Sequence, residues 1–186
     1  RYDASGNRTY SSQTTRSEWY AENSFALIPT LKWKPSETRS VSLESFLRVR
    51  NTHAGTTDVR ELLFGSPPMY ASDDLRLKLD STFFRNRLKW RENFANEASL
   101  DANVGFTINR RVSSSKFYEY NPSKTVLLDE DVNSTALERG FSSSGKYQVP
   151  YIQGHAAAFG WDAEAIRRDE DRLQRQTAPI GYPAEN

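Results

Sequence analysis

The sequence predicts an all-β fold, an antiparallel up-and-down arrangement of about seven long strands. Three observations carry that prediction. Along residues 99–110, Leu100, Ala102, Val104, Phe106 and Ile108 alternate with Asp101, Asn103, Gly105, Thr107 and Asn109, the pattern of a strand with one apolar and one polar face. The same dyad recurs in segments near the ~10 residues with which a tilted strand crosses a bilayer's hydrocarbon core. The connections alternate between brief turns and long polar stretches. Together they describe part of a transmembrane β-barrel with tight turns at one end and long loops at the other.

At 186 residues a single domain is the default. Hydrophobic residues make up 37% and charged residues 26%, and the mean hydropathy of -0.76 is that of a water-soluble average. The longest apolar runs, Phe25 to Pro29 and Ala156 to Trp161, are too short for a spanning helix. A barrel is compatible with these values, because polar lumen-facing positions dilute hydropathy by half. The net charge of +1, with both signs interspersed, gives no footprint for nucleic acid. The absence of cysteine excludes disulfides and thiolate metal sites. The chain begins Arg1-Tyr2-Asp3 without a signal-peptide pattern, so it is expected to be a piece truncated at both ends, residues 1–186 being a partial barrel domain.

Taken in order, Ser24 to Trp33 is the first strand, with Phe25, Leu27, Pro29, Leu31 and Trp33 on one face. The turn Lys34-Pro35-Ser36-Glu37-Thr38 leads to Val41, Leu43, Leu47 and Val49, alternating with Ser42, Glu44, Arg48 and Arg50. Asn51 to Asp74, carrying Gly55, Gly65 and Pro67-Pro68, is expected to be a long loop. A third strand covers Leu75 to Arg91, and its apolar phase slips by one at Phe83-Phe84, through a β-bulge or a change of covered surface. After the turn Asn93 to Glu97 the alternating strand continues to about Tyr120, and Asn121 to Leu137 is a second expected long, acidic loop. Glu138 to Pro150 and His155 to about Leu173 form the last hairpin.

This asymmetry matches outer-membrane barrels, with short periplasmic turns, long extracellular loops and interfacial aromatic residues. Trp33, Trp90, Tyr147 and Tyr151 fall near the short turns and are expected at the membrane interface, or as core aromatics in a soluble fold. Leu100, Val104, Phe106, Ile108, Phe159 and Trp161 are expected to face lipid.

The hairpin Leu27-Ile28-Pro29-Thr30-Leu31-Lys32-Trp33 with Val41 to Arg50 resembles a barrel hairpin of TonB-dependent outer-membrane receptors. A more specific likeness lies in Gly145-Lys146-Tyr147, Pro150, Gly154-His155 and Gly160-Trp161-Asp162, similar to the hairpin in these receptors where a GKY strand, a tight turn and a GH…GWD strand recur. The resemblance implies an importer of a scarce nutrient such as a ferric siderophore, in the outer membrane of a Gram-negative bacterium, its full barrel having about 22 strands around a plug. It further implies contact with outer-membrane lipid and lipopolysaccharide, and with TonB through parts that these residues do not include. Ligand contacts are expected around Thr52 to Met69 and Asn121 to Leu137, without individual residues being singled out.

Chemistry-bearing residues are sparse. His53 and His155 are expected at opposite ends of the fold, so a shared metal site is not expected. Asp129-Glu130-Asp131 is a cation-attracting cluster or, more simply, a solvated loop. Asp162 and Glu164 have the spacing of paired carboxylates and equally of a polar strand face. Arg167, Arg168, Arg172 and Arg175, mixed with acidic residues, either cross-link strands or contact lipopolysaccharide phosphates, cross-strand pairing being the plainer account. Gly160 is read as a site of close packing or wall bending. No nucleophile motif or phosphate-cradling loop occurs, so neither an enzyme nor a cofactor is expected. A passive porin-like barrel and a soluble all-β carbohydrate-binding module are the alternatives.

Overall fold

A computed structural model describes residues 10–66, 70–152 and 155–177. Its strands are β1 (Ser11–Leu27), β2 (Thr30–Trp33), β3 (Arg39–Phe64), β4 (Ser72–Asn93), β5 (Ser99–Tyr120), β6 (Val126–Ile152) and β7 (His155–Thr177). They form one seven-stranded sheet in the order β1-β3-β4-β5-β6-β7, with β2 also paired to β3. Every pairing is antiparallel, and consecutive strands are neighbours, so each connection is local.

β1 and β2 are one strand in two pieces. Pro29 has no N–H to give the ladder, and the pairing lapses at Ile28-Pro29, yet the Pro29 carbonyl still accepts from Ser45 N at 3.0 Å, which keeps both pieces on β3. The turns at 94–98 and 121–125 are built alike. Asn121 closes its turn with Lys124 N donating to its carbonyl at 2.9 Å and Thr125 N to its side chain at 2.8 Å. The fourth turn residue takes a left-handed backbone in both, Glu97 and Lys124 each at φ 61°.

The expected long loops are absent. Asn51 to Phe64 belongs to β3, Ser72 to Asp74 opens β4, and Val126 to Leu137 belongs to β6. β3 to β7 are therefore 22 to 27 residues long, and the described connections are short at both ends. Polar composition misleads at these positions because neither face of the sheet's far half is uniformly apolar, so charged residues sit in strands, held by cross-strand partners. Gly55, within the expected loop, lies instead in β3 under the indole of Trp19 from the neighbouring strand. Pro67-Pro68, Met69 and Gln153-Gly154 lie outside the described residues.

The sheet has no packed core of its own. Among the described residues Ala98 and Leu127 are the buried apolar ones, and no large side chain is fully enclosed. Even in the middle of the sheet Leu88, Val104 and Phe106 each remain 41% exposed. A single layer of this kind buries its apolar face only against something else.

Candidate membrane interface

Residues directly opposite in an antiparallel ladder share a face, so the register assigns every side chain to one of two surfaces. One surface carries Val41, Leu43, Leu47 and Val49 of β3, Phe84, Leu88 and Trp90 of β4, and Leu100 to Ile108 of β5 at alternate positions. It continues through Phe141, Tyr147 and Val149 of β6 and Ala157 to Ala165 of β7, and in the other direction through Leu31 and Trp33 of β2 and Phe25 and Leu27 of β1. Within this band no position is charged; the polar interruptions are Ser45, Thr82, Asn86 and Ser143.

The band is bounded sharply, and its edges are oblique. Its far edge is Asn51 on β3 and Asp80 directly opposite on β4. On β5 it is Arg110, opposite Thr82, one outward position closer to the turns. On β6 and β7 it is Arg139 and Arg167, directly opposite each other and one position closer again, since Arg139 faces Ile108. The near edge moves the same way: Arg39 and Glu92 close it on β3 and β4, whereas Leu100, opposite Glu92, is still apolar and Val149 and Ala157 lie beyond that row. Both edges thus descend by about one residue per strand, which at ~3.3 Å per residue and ~4.8 Å per strand is a slope of about 35°. From Val41 to Val49 the band measures about 26 Å along the strand, or about 22 Å once the slope is taken out.

Aromatic residues gather at the turn side. Trp33, Val41, Trp90, Ala102, Gly145 and Trp161 form one hydrogen-bonded row, and Tyr147 and Phe159 pair in the next. Trp161 lies flat over Gly145, with Nε1 donating to Ser143 Oγ at 3.1 Å, and stacks on Phe159 at 6.4 Å between centroids. Phe94 meets Tyr147 edge-on at 6.2 Å. Tyr151 is exposed at the end of β6. Leu100, Val104, Phe106, Ile108, Phe159 and Trp161 all fall on the apolar band.

The opposite surface is polar beside the band and laced with ion pairs. Lys89 Nζ meets Glu44 at 2.7 Å, Arg91 Nε meets Asp101 at 2.6 Å, and Glu22 receives Arg48 at 3.3 Å. Asn103, Thr107, Asn109, Ser142 and Ser144 share this surface. Phe46 and Phe83, ring centroids 5.7 Å apart, interrupt this surface behind the band itself, and farther from the turns it carries Leu75, Leu77 and Leu79. The slip at Phe83-Phe84 is therefore a change of apolar face along an unbroken ladder, with no bulge.

His53 lies within β3 on the same surface as the band, opposite Lys78 and Ala21, rather than in a loop, while His155 begins β7. Among the described residues no group of His, Cys, Asp or Glu converges as metal ligands would. Asp129-Glu130-Asp131 is strand, not loop: Asp131 pairs with Lys116 at 3.4 Å and Glu130 accepts from Gln174 at 3.1 Å. The arginines of β7 divide between faces. Arg168 binds Glu170 of its own strand at 2.7 Å on the polar surface, while Arg167 shares Asp169 with Arg139 on the other, at 3.1 and 3.6 Å. Asp162 and Glu164 share the polar surface of β7. A side chain at Gly160 would meet only the Gly145 carbonyl at 3.4 Å, so close packing belongs instead to Gly55 and Gly145.

The glycine–tryptophan pairs and the arginine edge are what sequence reading missed. Their signal is joint: a Gly and a Trp, or three arginines, become partners only once the register is known.

No protein-family model matches the chain, and a search of curated proteins likewise gives no match.

Proposed function

We propose that this chain is part of the wall of an outer-membrane β-barrel, belonging to a receptor that binds a scarce nutrient such as a ferric siderophore and imports it with TonB-supplied energy. The observation that carries the membrane reading is the oblique, uncharged band. Its width of about 22 Å compares with the ~25 Å apolar belt of outer-membrane barrels, and its slope of about 35° with their strand tilt of ~35–45°. An apolar surface inclined to the strands is what tilted strands need if lipid is to meet the same depth on each of them. A soluble sandwich would instead place a second sheet over this surface. The polar opposite surface suits a water-filled or plugged lumen.

The transporter reading rests on the GKY and GWD hairpin resemblance, which corresponds to β6 and β7. In that setting the extended far ends of β3 to β6 stand beyond the band on the cell exterior, where ligand capture belongs. Disrupting the gene in its host is expected to abolish uptake of radiolabelled ferric siderophore that an uncoupler also abolishes. Uptake of small solutes that is lost in the disruptant yet survives the uncoupler would favour a passive porin-like barrel and contradict active import.

A further inference from the structure

We propose that Arg110, Arg139 and Arg167 form a binding site for the phosphate group of an anionic membrane lipid; this rests on the membrane reading above. The three arginines come from three adjacent strands and share the surface that carries the apolar band, each at the first position past the band, with Val112 and Leu137 one position farther out. That is where headgroup phosphates lie when the band is filled by acyl chains.

Arg139 and Arg167 are directly opposite, so their Cβ atoms stand ~5 Å apart, a placement at which like charges repel. The carboxylate they share is Asp169, at 3.6 and 3.1 Å, and Arg110 lies diagonally across from Arg139. Two guanidinium groups on one carboxylate, with a third beside them, leave an excess of positive charge on an exposed surface. A phosphate between the strands answers it: its oxygens accept bidentate N–H pairs from planar guanidinium groups, the geometry for which arginine is suited. Ile108 and Phe141, the band residues next to the cluster, meet the lipid's chains below the phosphate. At the near edge the equivalent charges, Arg39 and Glu92, neutralise one another, so the device is confined to one side of the band.

The test uses the full chain in phosphatidylcholine bilayers with spin-labelled phosphatidic acid or spin-labelled phosphatidylcholine as probe. Selectivity for phosphatidic acid is expected, falling about fivefold for each of Arg110→Gln, Arg139→Gln and Arg167→Gln, the loss of ~1 kcal/mol per basic residue at a membrane surface. Arg139→Lys, which keeps the charge but loses the bidentate fork, should fall between the parent and Arg139→Gln, and Arg85→Gln, on the polar surface, should change nothing. Equal selectivity in the triple variant overturns the proposal, as does its loss to millimolar inorganic phosphate, which would mark a site for the free ion. Tryptophan quenching by brominated phosphatidylcholine separates the two readings: insertion without lipid selectivity defeats the lipid site alone, and failure to insert defeats both.

Discussion

At the scale of residues, the sheet is organised by pairs that become neighbours only through the register. Trp161 over Gly145 is the clearest. A methyl group on Gly145 would clash with the Trp161 ring at Cη2, so Gly145→Val should displace the indole, break its bond to Ser143 and cost about 1–3 kcal/mol in urea unfolding from detergent micelles. An unchanged midpoint would mean that the ring has no fixed seat. The two faces of β5 make a sharper contrast. Val104 is mid-band, and Val104→Arg should cost about 2–4 kcal/mol in bilayers, as expected for a cation at the midplane, whereas Asn103→Arg on the polar surface should cost far less. Equal costs would remove the distinction between the surfaces. The alternation on β5 was legible in the sequence because its two faces differ uniformly. Gly145 and Trp161 were not legible as a pair, since nothing local says which residue sits opposite another.

At the scale of elements, the hairpins were found near their turns and lost away from them. Val41 to Val49 and Leu100 to Ile108 keep one phase, so their strands were read correctly. Beyond Asn51 on β3 and before Glu138 on β6 the pattern becomes mixed and charged, and these strand ends read as loop. What holds those ends is pairing: Asp58 accepts from Arg16 Nε at 2.8 Å and Nη2 at 2.7 Å, fastening the end of β1 to β3. Hydrogen bonding and the charge of Arg16 hold the Asp58 carboxyl below the usual carboxylate range. Its folded-state pKa is thus lower than its unfolded one, and the stabilisation is complete above the ordinary value of ~4 and lost as pH falls through the depressed value. Asp73, pushed up chiefly by burial and then by Asp58, has the opposite sign and favours the folded state as it protonates. Protection of the Thr14 to Glu18 amides, taken as exchange relative to the intrinsic rate at each pH, should therefore fall on acidification and, in Asp58→Asn, already be low at neutral pH. Exchange in that variant as slow as in the parent would show that the ion pair does not hold the strand.

At the scale of the whole molecule, the decisive property is one no single strand displays. Each strand carries an apolar stretch on this surface, but the boundaries shift from strand to strand, and only the assembled sheet reveals a belt of constant width crossing the strands at a slope. The strand phase and the turn-side aromatics were visible in the sequence; the slope was not, because it is a relation among six pairings. A surface of this shape, over a sheet with no core of its own among the described residues, requires a cover, and the proposed lipid is a cover whose boundaries are flat.

The most direct measurement is a nitroxide scan in bilayers, with labels placed one at a time on β3 from Val41 to Asn51, on β5 from Leu100 to Arg110 and on β6 from Arg139 to Val149, recording collision with oxygen and with a water-soluble nickel chelate. A tilted sheet in a membrane gives a period of two on each strand, oxygen contact on the band and chelate contact at Asn51, Arg110 and Arg139, the water boundary descending in that order. Uniform chelate access on both faces, or a boundary that follows a hydrogen-bonded row instead of crossing it, would contradict a tilted sheet in a membrane.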